Sequence, residues 1–454
     1  MNRRVGLEQN RMSLPKFSKT LSRPPRAGAR WLVSQWAALL TGLTVGVRLV
    51  PNIRAVRHAE VVVLMTRWGH GHTITGPDIA RRRYKGKRCI FIVLSEYPLH
   101  NWKTALMWPD ITVLFVPYTL GFRWRQSPVS FPYPKWYVRL MPRALNKFAR
   151  LVAPQDAAII SVHQLYTEVP FPQHLQAMFD PKTAWWRAEP DERLKFLNVA
   201  YIWLLREVPA PSVHLPERLR HKIKRRLIQA AGKEGKGLCC MYLRQKGAGS
   251  TLSFESRRVG SPLEDYVPGI ETLIQNGYQV TVTGDVSVPK GMLSHFGGML
   301  IDADALRVNP QVLSVYCATE ADIFIGETGG GTWLPGINGI PRLVLNAFPY
   351  YYGYPNTWMF YKFVTDARGQ LVPYQALFDE HAYDWDLPGM TIHNNSSHDI
   401  HSAIVSFLHD IRILGDVSHQ NQFQFPKHTW AWHAQSKLSH AWLRKYSSTV
   451  PSEV

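Results

Sequence analysis

The chain has 454 residues, of which 45% are hydrophobic and 12% are aromatic. This length and composition exclude a disordered or fibrous polypeptide and suffice for two ordinary domains, each with its own core. The formal net charge of +20 favours partners that carry phosphate groups. Because no zinc-finger or RNP pattern accompanies that charge, we expect no nucleic-acid partner.

The cysteine content indicates whether the protein works in a reducing or an oxidising compartment. The four cysteines, Cys89, Cys239, Cys240 and Cys317, include no C-x-x-C pair. Extracellular disulfide frameworks and structural zinc sites both show characteristic cysteine spacings. The pattern therefore predicts a reducing, cytoplasmic compartment and no zinc site.

The basic charge is concentrated at the start of the chain. Residues 1–57 contain eleven Lys and Arg but only one acidic residue, Glu8. Within this leader, residues 31–47 form an apolar stretch with Trp31 and Trp36 near its start. Three interpretations stay open: a helix that lies in or anchors to the membrane interface, a helix packed on the chain's own body, and an export signal. The first predicts a peripheral protein at the anionic inner face of the cell membrane.

Residues 58–215 alternate between strand and helix patterns. A β-branched run at 59–66 predicts a strand buried on both faces of a parallel sheet, and a glycine-rich turn at 67–76 follows it. Further strands are predicted at 88–94 and 111–116. Helices are expected after Pro77-Asp78, at 136–152 and at 190–206. We interpret residues 58–215 as an N-terminal Rossmann-like domain.

A second alternation follows a basic amphipathic stretch. Residues 216–237 are interpreted as a linker whose helix face is solvated, in preference to a nucleic-acid patch, because no aromatic residues interleave with its charges. Strands are then predicted at 238–243, 279–283, 298–301, 321–326 and 341–346, with a helix at 263–276. Residues 238–410 form the second domain, and 411–454 a helical tail that packs back on the N-terminal domain. The fold class is α/β, with two Rossmann-like domains that face a cleft.

The most informative segment follows the predicted strand at 321–326. It reads Glu327, Thr328, Gly329, Gly330, Gly331 and then a helical pattern. Glycines allow close backbone approach, and amides at a helix N-terminus bind phosphate. The segment is neither the G-x-G-x-x-G fingerprint nor a P-loop. The alternative is a tight turn that only packs a helix on the sheet.

Residues 238–346 resemble the donor-binding domain of GT-B glycosyltransferases. More narrowly, they resemble a bacterial family of glycosyltransferases from surface-polysaccharide gene clusters. The resemblance is carried by Tyr242-Leu243-Arg244, Arg257-Arg258, Asp265-Tyr266, Thr283-Gly284-Asp285 and the segment 321–346. It implies an enzyme that transfers a sugar, hexosyl or related, from a nucleotide-diphosphate donor to a lipid-linked or surface-glycan acceptor.

The resemblance also implies donor-binding roles for individual residues. In such domains a basic side chain at the end of the first strand neutralises the diphosphate leaving group, and Arg244 lies at that position. One of Arg257 and Arg258 is assigned the same task, with a solvated loop as the alternative. Gly284 and Asp285 fall where base or ribose contacts occur, or form an ordinary turn. Because no metal ion is needed for such a site, we expect no cofactor.

Retaining members of the fold often carry a second Glu seven or eight residues after the first. No second Glu follows Glu327 within residues 328–340, which favours an inverting mechanism with one general base. The loop after the first strand offers His70, His72 and Asp78 for that role. A hydrogen-bonded turn and a metal site remain alternatives for the two histidines.

Three further interpretations stay open. Asp302 and Asp304 reproduce the D-x-D pair that binds a divalent ion in metal-dependent GT-A transferases. The aromatic run at 348–354 either stacks on a base or sugar or is a packed loop. The chain could also be a non-catalytic, membrane-associated glycan- or nucleotide-binding protein of the same fold.

Overall fold

The structure is a computed structural model. The residues that it describes are 35–36, 38–39, 49–65, 72–95, 102–108, 110–117, 121–124, 127–130, 135–167, 190–232, 235–244, 259–382, 384, 387–414, 425–427 and 429–447. Among these residues, no helix is both long enough and apolar enough to cross a membrane.

The N-terminal half contains a parallel sheet of four strands in the order β3-β2-β1-β6. A separate antiparallel hairpin pairs β4 with β5. The strands are β1 (Val61–Met65), β2 (Cys89–Ser95), β3 (Ile111–Pro117), β4 (Gly121–Trp124), β5 (Ser127–Ser130) and β6 (Ala158–Ser161). The three strands predicted from β-branched runs are confirmed, because such runs fit a sheet that is covered on both faces.

Helices cover both faces of this first sheet. They are α1 (Ile53–Arg57), α2 (His72–Arg83), α3 (Lys135–Val152), α4 (Val162–Thr167) and α5 (Pro190–Glu207). The helix predicted to open at Pro77-Asp78 begins earlier, at His72, and Pro77 lies inside it. His72 is therefore a helical residue and not part of a glycine-rich loop.

One face of the first sheet is covered by α3 and by the segment that precedes β1. Ala38, Leu49 and Val56 are buried in one cluster with Val62 of the sheet. The same cluster contains Met141, Leu145 and Ala149 of α3. The described part of the apolar stretch 31–47 therefore packs on the chain's own body through Ala38, while the rest of the leader before residue 49 lies outside the described residues.

The second half contains a parallel sheet of seven strands in the order β15-β12-β11-β10-β7-β8-β9. These strands are β7 (Gly237–Leu243), β8 (Tyr278–Gly284), β9 (Leu300–Ile301), β10 (Ile323–Glu327), β11 (Arg342–Ala347), β12 (Thr357–Tyr361) and β15 (Lys437–Leu438). Between the last two, β13 (Phe363–Thr365) and β14 (Thr391–His393) form an antiparallel pair. All five predicted strands are confirmed, and β12 and β15 were not foreseen.

The helices of this half are α6 (Glu217–Ala231), α7 (Val267–Gln275), α8 (Lys290–Phe296), α9 (Pro310–Glu320), α10 (Trp333–Ile337), α11 (Tyr374–Asp379), α12 (Ser397–Leu414), α13 (Trp430–His433) and α14 (His440–Ser447). The segment interpreted as a linker is mostly α6, which buries Ile223 and Leu227. Gln279 in β8 donates a hydrogen bond to the Leu227 carbonyl at 3.0 Å. The segment interpreted as a linker with a solvated helix face is thus a helix that packs one side on the second half and exposes basic residues such as Arg218, Lys222 and Arg225 on the other.

The C-terminal segment lies mainly on the second sheet. β15 pairs with β12, and the Trp442 indole of α14 donates to the Tyr361 carbonyl at 3.1 Å. α13 contacts the first half, where Arg206 of α5 donates to the His433 carbonyl at 2.8 Å. Within the described residues, the segment 411–454 therefore contacts both halves, and its contact with the N-terminal half is seen at α13.

The two halves are joined by direct contacts. The rings of Tyr201 in α5 and Trp333 in α10 are 5.2 Å apart. Asn338 exchanges two hydrogen bonds with the Val213 backbone, at 2.9 and 2.8 Å. The fold is α/β with two parallel sheets, as the sequence predicts for two Rossmann-like domains. The loops expected to line their cleft, 66–71 and 245–258, lie outside the described residues.

Candidate functional site

The carboxyl ends of the second sheet gather several polar residues. Because β7, β8, β10, β11 and β12 are parallel, the residues at their ends lie along one edge. These residues are Arg244, Asp285, Glu327, Asn346 and Lys362. The sequence predicts the first three, while Asn346 and Lys362 were missed.

Glu327 occupies the centre of this edge and is 1% exposed. Its Oε2 accepts a hydrogen bond from the Arg244 backbone N–H at 2.7 Å, and its Oε1 accepts one from the Tyr266 hydroxyl at 2.6 Å. Asn346 Nδ2 donates to the same Oε1 at 3.3 Å. Burial raises the pKa of Glu327 to about 7, against the opposing effect of these donors and of Lys362. Both carboxylate oxygens therefore have hydrogen-bond donors within the protein.

Gly260 lies against this carboxylate. A Cβ atom added at Gly260 would lie 1.4 Å from Glu327 Oε1, so no other residue type fits without displacing the carboxylate. The Gly260 N–H donates to the Arg244 carbonyl at 2.9 Å, and Asn394 Nδ2 donates to the Gly260 carbonyl at 2.8 Å. Glycine here is required for close approach and not for an unusual dihedral angle.

Lys362 completes the same arrangement from β12. Its ammonium group donates to the Val259 carbonyl at 2.8 Å, and the side chain is almost fully buried. Burial lowers the pKa of Lys362 to about 8, while the nearby Glu327 raises it. Arg244 and residues 259–260 are thus fixed from several sides, and we call them the loop neck. They bracket the loop 245–258, which contains Arg257 and Arg258 and lies outside the described residues.

Asn346 links the neck to α12. Its backbone N–H donates to Asn395 Oδ1 at 2.6 Å, and its own Oδ1 accepts from the Asn395 N–H at 2.7 Å. The Asn346 backbone has a φ of 50°, a left-handed conformation that asparagine tolerates better than most residues. Ser261 donates to the Asn395 carbonyl at 2.6 Å. The network therefore extends from the strand ends to the start of α12.

The triple glycine packs against Tyr242 and Arg244. A Cβ at Gly331 would lie 2.9 Å from the Tyr242 ring, and one at Gly329 would lie 3.3 Å from Arg244 Cδ. Arg244 Nη1 donates to the Thr328 carbonyl at 3.1 Å. Packing thus accounts for two of the three glycines.

The helical pattern after the glycines is short. A 3₁₀ turn covers Gly330–Thr332, and α10 has only five residues. The helix expected behind the glycines is therefore present but spans little more than one turn, and the contribution of its dipole is correspondingly small. The assignment of residues 328–331 to the donor stays a proposal.

Gly284 and Asp285 close β8 beside β7. Gly284 has a φ of 109°, and a Cβ there would lie 2.0 Å from the Leu243 carbonyl oxygen. The Asp285 N–H donates to that same carbonyl at 3.2 Å. The turn needs glycine for its own geometry. The Asp285 side chain is exposed at the edge of the site.

The candidate bases from the first half differ in position. His70 lies outside the described residues, as does the side chain of His72. Asp78 is fully buried, and its Oδ2 accepts from Arg82 Nε at 2.8 Å and from the Tyr201 hydroxyl at 3.0 Å. Burial raises the pKa of Asp78, against the pull of Arg82. Its bonds hold α2 against α5, so Asp78 has no access to an acceptor.

The remaining sequence candidates have local structural roles. Asp302 Oδ1 accepts from the Ala305 N–H at 2.8 Å, which is a turn-capping bond. No group of three or more potential metal ligands occurs within the described ranges. The aromatic run Phe348–Tyr354 is buried, with the Tyr350 hydroxyl donating to the Lys362 carbonyl at 2.6 Å. This run is a packed loop, and the Tyr350 hydrogen bond links it to Lys362 at the candidate site.

No family model matches the chain, and no curated protein matches it in sequence. Among solved structures it is similar to a glycosyl transferase of family 9 from Veillonella parvula, at 13% identity, over 66% of this chain and 86% of that one, with a TM-score of 0.38. It is also similar to the dodecameric iron-containing glycosyltransferase TibC from enterotoxigenic E. coli, at 14% identity, over 79% and 78% of the two chains, with a TM-score of 0.37.

A third similar structure is the E. coli heptosyltransferase WaaC with ADP. The identity is 11%, the match covers 66% of this chain and 90% of that one, and the TM-score is 0.33. Identities and TM-scores this low do not define a family, a substrate or a mechanism for this chain.

Proposed function

We propose that the protein is a glycosyltransferase that takes a sugar from a nucleotide-diphosphate donor at the carboxyl edge of the second sheet. The observation that carries the proposal is how the loop neck is held: a buried carboxylate, an ammonium group and a network of amide and hydroxyl side chains fix the base of one loop. Buried ionisable groups are costly, and they concentrate at functional sites. The resemblance of residues 238–346 to donor-binding domains supports the same location.

The charge of the loop suits a diphosphate. Residues 244–258 contain Arg244, Lys246, Arg257 and Arg258 against a single acid, Glu255. Cations in a partly dry site stabilise the negative charge that develops on a departing diphosphate. Arg244 is the proposed contact at the strand end, and Arg257 or Arg258 the second contact. Glu327 is a positioning residue, because both of its oxygens accept hydrogen bonds from the protein.

The proposed mechanism is inverting and independent of metal. One base deprotonates the acceptor hydroxyl, which displaces the diphosphate in a single step and inverts the anomeric carbon. We propose His70 or His72 as that base and exclude Asp78, whose buried ion pair cannot reach an acceptor. The proposed acceptor is a lipid-linked or surface glycan. The proposed location is the cytoplasmic side, with the basic leader on the anionic inner face of the membrane.

The test is donor turnover by the purified full chain. UDP- and GDP-activated sugars are incubated with the protein, with a CMP-activated sugar as the single-phosphate control that should not be used, and free nucleotide is measured with and without EDTA. We expect slow release from one donor class, unchanged by EDTA. Binding of a nucleotide without any release would favour the non-catalytic alternative. Release abolished by EDTA and restored by a divalent ion would contradict the metal-independent mechanism.

A further inference from the structure

Helix α3 has two opposite faces of different character. Met141, Leu145 and Ala149 are buried against the first sheet. The opposite face exposes an array of large apolar and basic side chains, namely Leu140, Arg143, Lys147, Arg150 and Leu151. With 3.6 residues per turn, these five positions fall within one narrow stripe along the helix. Leu140 is 53% exposed and Leu151 is 75% exposed. Leucines this exposed are not part of the core that folds the domain.

The segment before β1 extends the same surface. Ala38 and Leu49 are buried in the cluster that contains the inner face of α3, so this segment lies beside α3 on the same face of the sheet. Its outward side chains include Trp36, 64% exposed, Leu39, 58% exposed, and Val50, 64% exposed. Of the eight large hydrophobic residues that are exposed within the described ranges, five lie on this layer. Apolar side chains grouped in this way mark an interaction surface.

The charge of the layer is of one sign. Residues 31–57 and 135–152 together contain eight Lys and Arg and no Asp or Glu. Arg54 and Arg57 of α1 are exposed in the segment before β1. The stripe of α3 adds the three exposed cations Arg143, Lys147 and Arg150. Arg and Lys can place their charges on lipid phosphates while their stems lie on apolar surface, and Trp favours the headgroup region.

We propose that this layer, residues 35–36, 38–39 and 49–57 together with α3, binds an anionic lipid bilayer. Trp36, Leu140 and Leu151 enter the headgroup boundary, and the cations of the stripe contact lipid phosphates. Exposed leucines add nothing to the binding of nucleic-acid phosphates, so a bilayer fits the mixed surface better. The inference rests on the membrane part of the proposed function and deepens it by naming the residues; it does not depend on the transfer chemistry.

The orientation that follows keeps the candidate site in water. α2 and α5 lie on the other side of the first sheet from α3, and α5 contacts the second half through Tyr201 and Arg206. A bilayer on the α3 side is therefore separated from the second sheet by the whole first sheet. The donor could then be exchanged with the solvent while the protein stays bound.

The test is cosedimentation of the full chain with two kinds of vesicle, phosphatidylcholine alone and phosphatidylcholine with phosphatidylserine. The triple variant Arg143→Gln, Lys147→Gln and Arg150→Gln removes three surface cations from α3. The matched control removes three exposed cations from α6 as Arg218→Gln, Lys222→Gln and Arg225→Gln. Because one basic residue near an anionic surface contributes about a fivefold gain in partitioning, the α3 triple should weaken binding about a hundredfold. The control should bind nearly as wild type.

A second variant tests the apolar part, since Leu140→Ser and Leu151→Ser change only exposed positions. We expect it to weaken binding to anionic vesicles and to leave the melting temperature unchanged. Equal losses in the α3 and α6 triples, or no loss in either, would overturn the proposal. Saturable binding of duplex DNA without vesicle binding would replace it with a nucleic-acid surface. The nucleotide-induced shift in melting temperature should be the same in wild type and the α3 triple. Failure of the membrane proposal would appear in vesicle binding alone, whereas failure of the proposed function would appear as a missing nucleotide shift.

Discussion

The pH dependence of stability tests the buried position of Glu327. Burial raises its pKa from the ordinary 4.5 to about 7, so the folded state holds the proton more tightly than the unfolded state. The stabilisation is fully present below the unfolded value and is lost as the pH rises through about 7. At 1.36 kcal/mol per pKa unit, the loss is roughly 3 kcal/mol in total and about 2 kcal/mol between about pH 5 and about pH 7.5.

Glu327→Gln removes this titration and keeps the shape of the side chain. The difference in unfolding free energy, wild type minus variant, should therefore fall by about 2 kcal/mol over that pH range, which corresponds to about 4–8 °C in melting temperature. Titrating groups that do not interact with Glu327 cancel in the difference, whereas Lys362, whose pKa Glu327 raises, does not cancel fully. Urea unfolding at each pH measures it, and Glu264→Gln, at an exposed position, should show no such slope. A flat difference, or one that grows with pH, would refute the raised pKa of Glu327.

Three further predictions concern the site. Gly260→Ala should destabilise the protein by about 3 kcal/mol and abolish nucleotide binding, because its Cβ would lie 1.4 Å from a buried carboxylate oxygen. Gly291→Ala in α8, where an added Cβ meets open space, should be neutral or slightly stabilising in urea unfolding. His70→Ala or His72→Ala should lower turnover by roughly a hundredfold or more at unchanged stability, and full turnover in both would reject a histidine base. Asp304→Asn should leave donor turnover intact; a loss that excess divalent ion relieves would support the metal-dependent alternative.

The regular elements of both sheets could be predicted because their signals are local. Runs such as 61–65 and 323–325 are apolar over most of the length of a buried strand. β15 could not be predicted in this way, since two residues carry no periodic pattern and pair only through tertiary contact with β12. The start of α2 was misplaced because Pro77, a common first-turn residue, lies inside the helix instead.

The strand-end residues of the candidate site could be identified in the sequence, whereas their hydrogen-bond partners could not. Strand ends identify the edge where Arg244 and Glu327 lie, because parallel strands align their carboxyl ends. Tyr266, Asn346 and Lys362 join Glu327 from 61, 19 and 35 positions away along the sequence, so only the folded chain brings them together. Their convergence is the reason why we propose a positioning role for Glu327 at the loop neck in place of a donor contact.

The most direct measurement is the shift in melting temperature of the full chain with UDP and with GDP, and with CMP as a single-phosphate control, in wild type, Arg244→Gln and the exposed control Arg218→Gln. We predict that one nucleotide stabilises wild type and the control, and that Arg244→Gln loses most of the shift. Absence of any shift in wild type, or an undiminished shift in Arg244→Gln, would contradict a nucleotide-sugar site at the carboxyl edge of the second sheet.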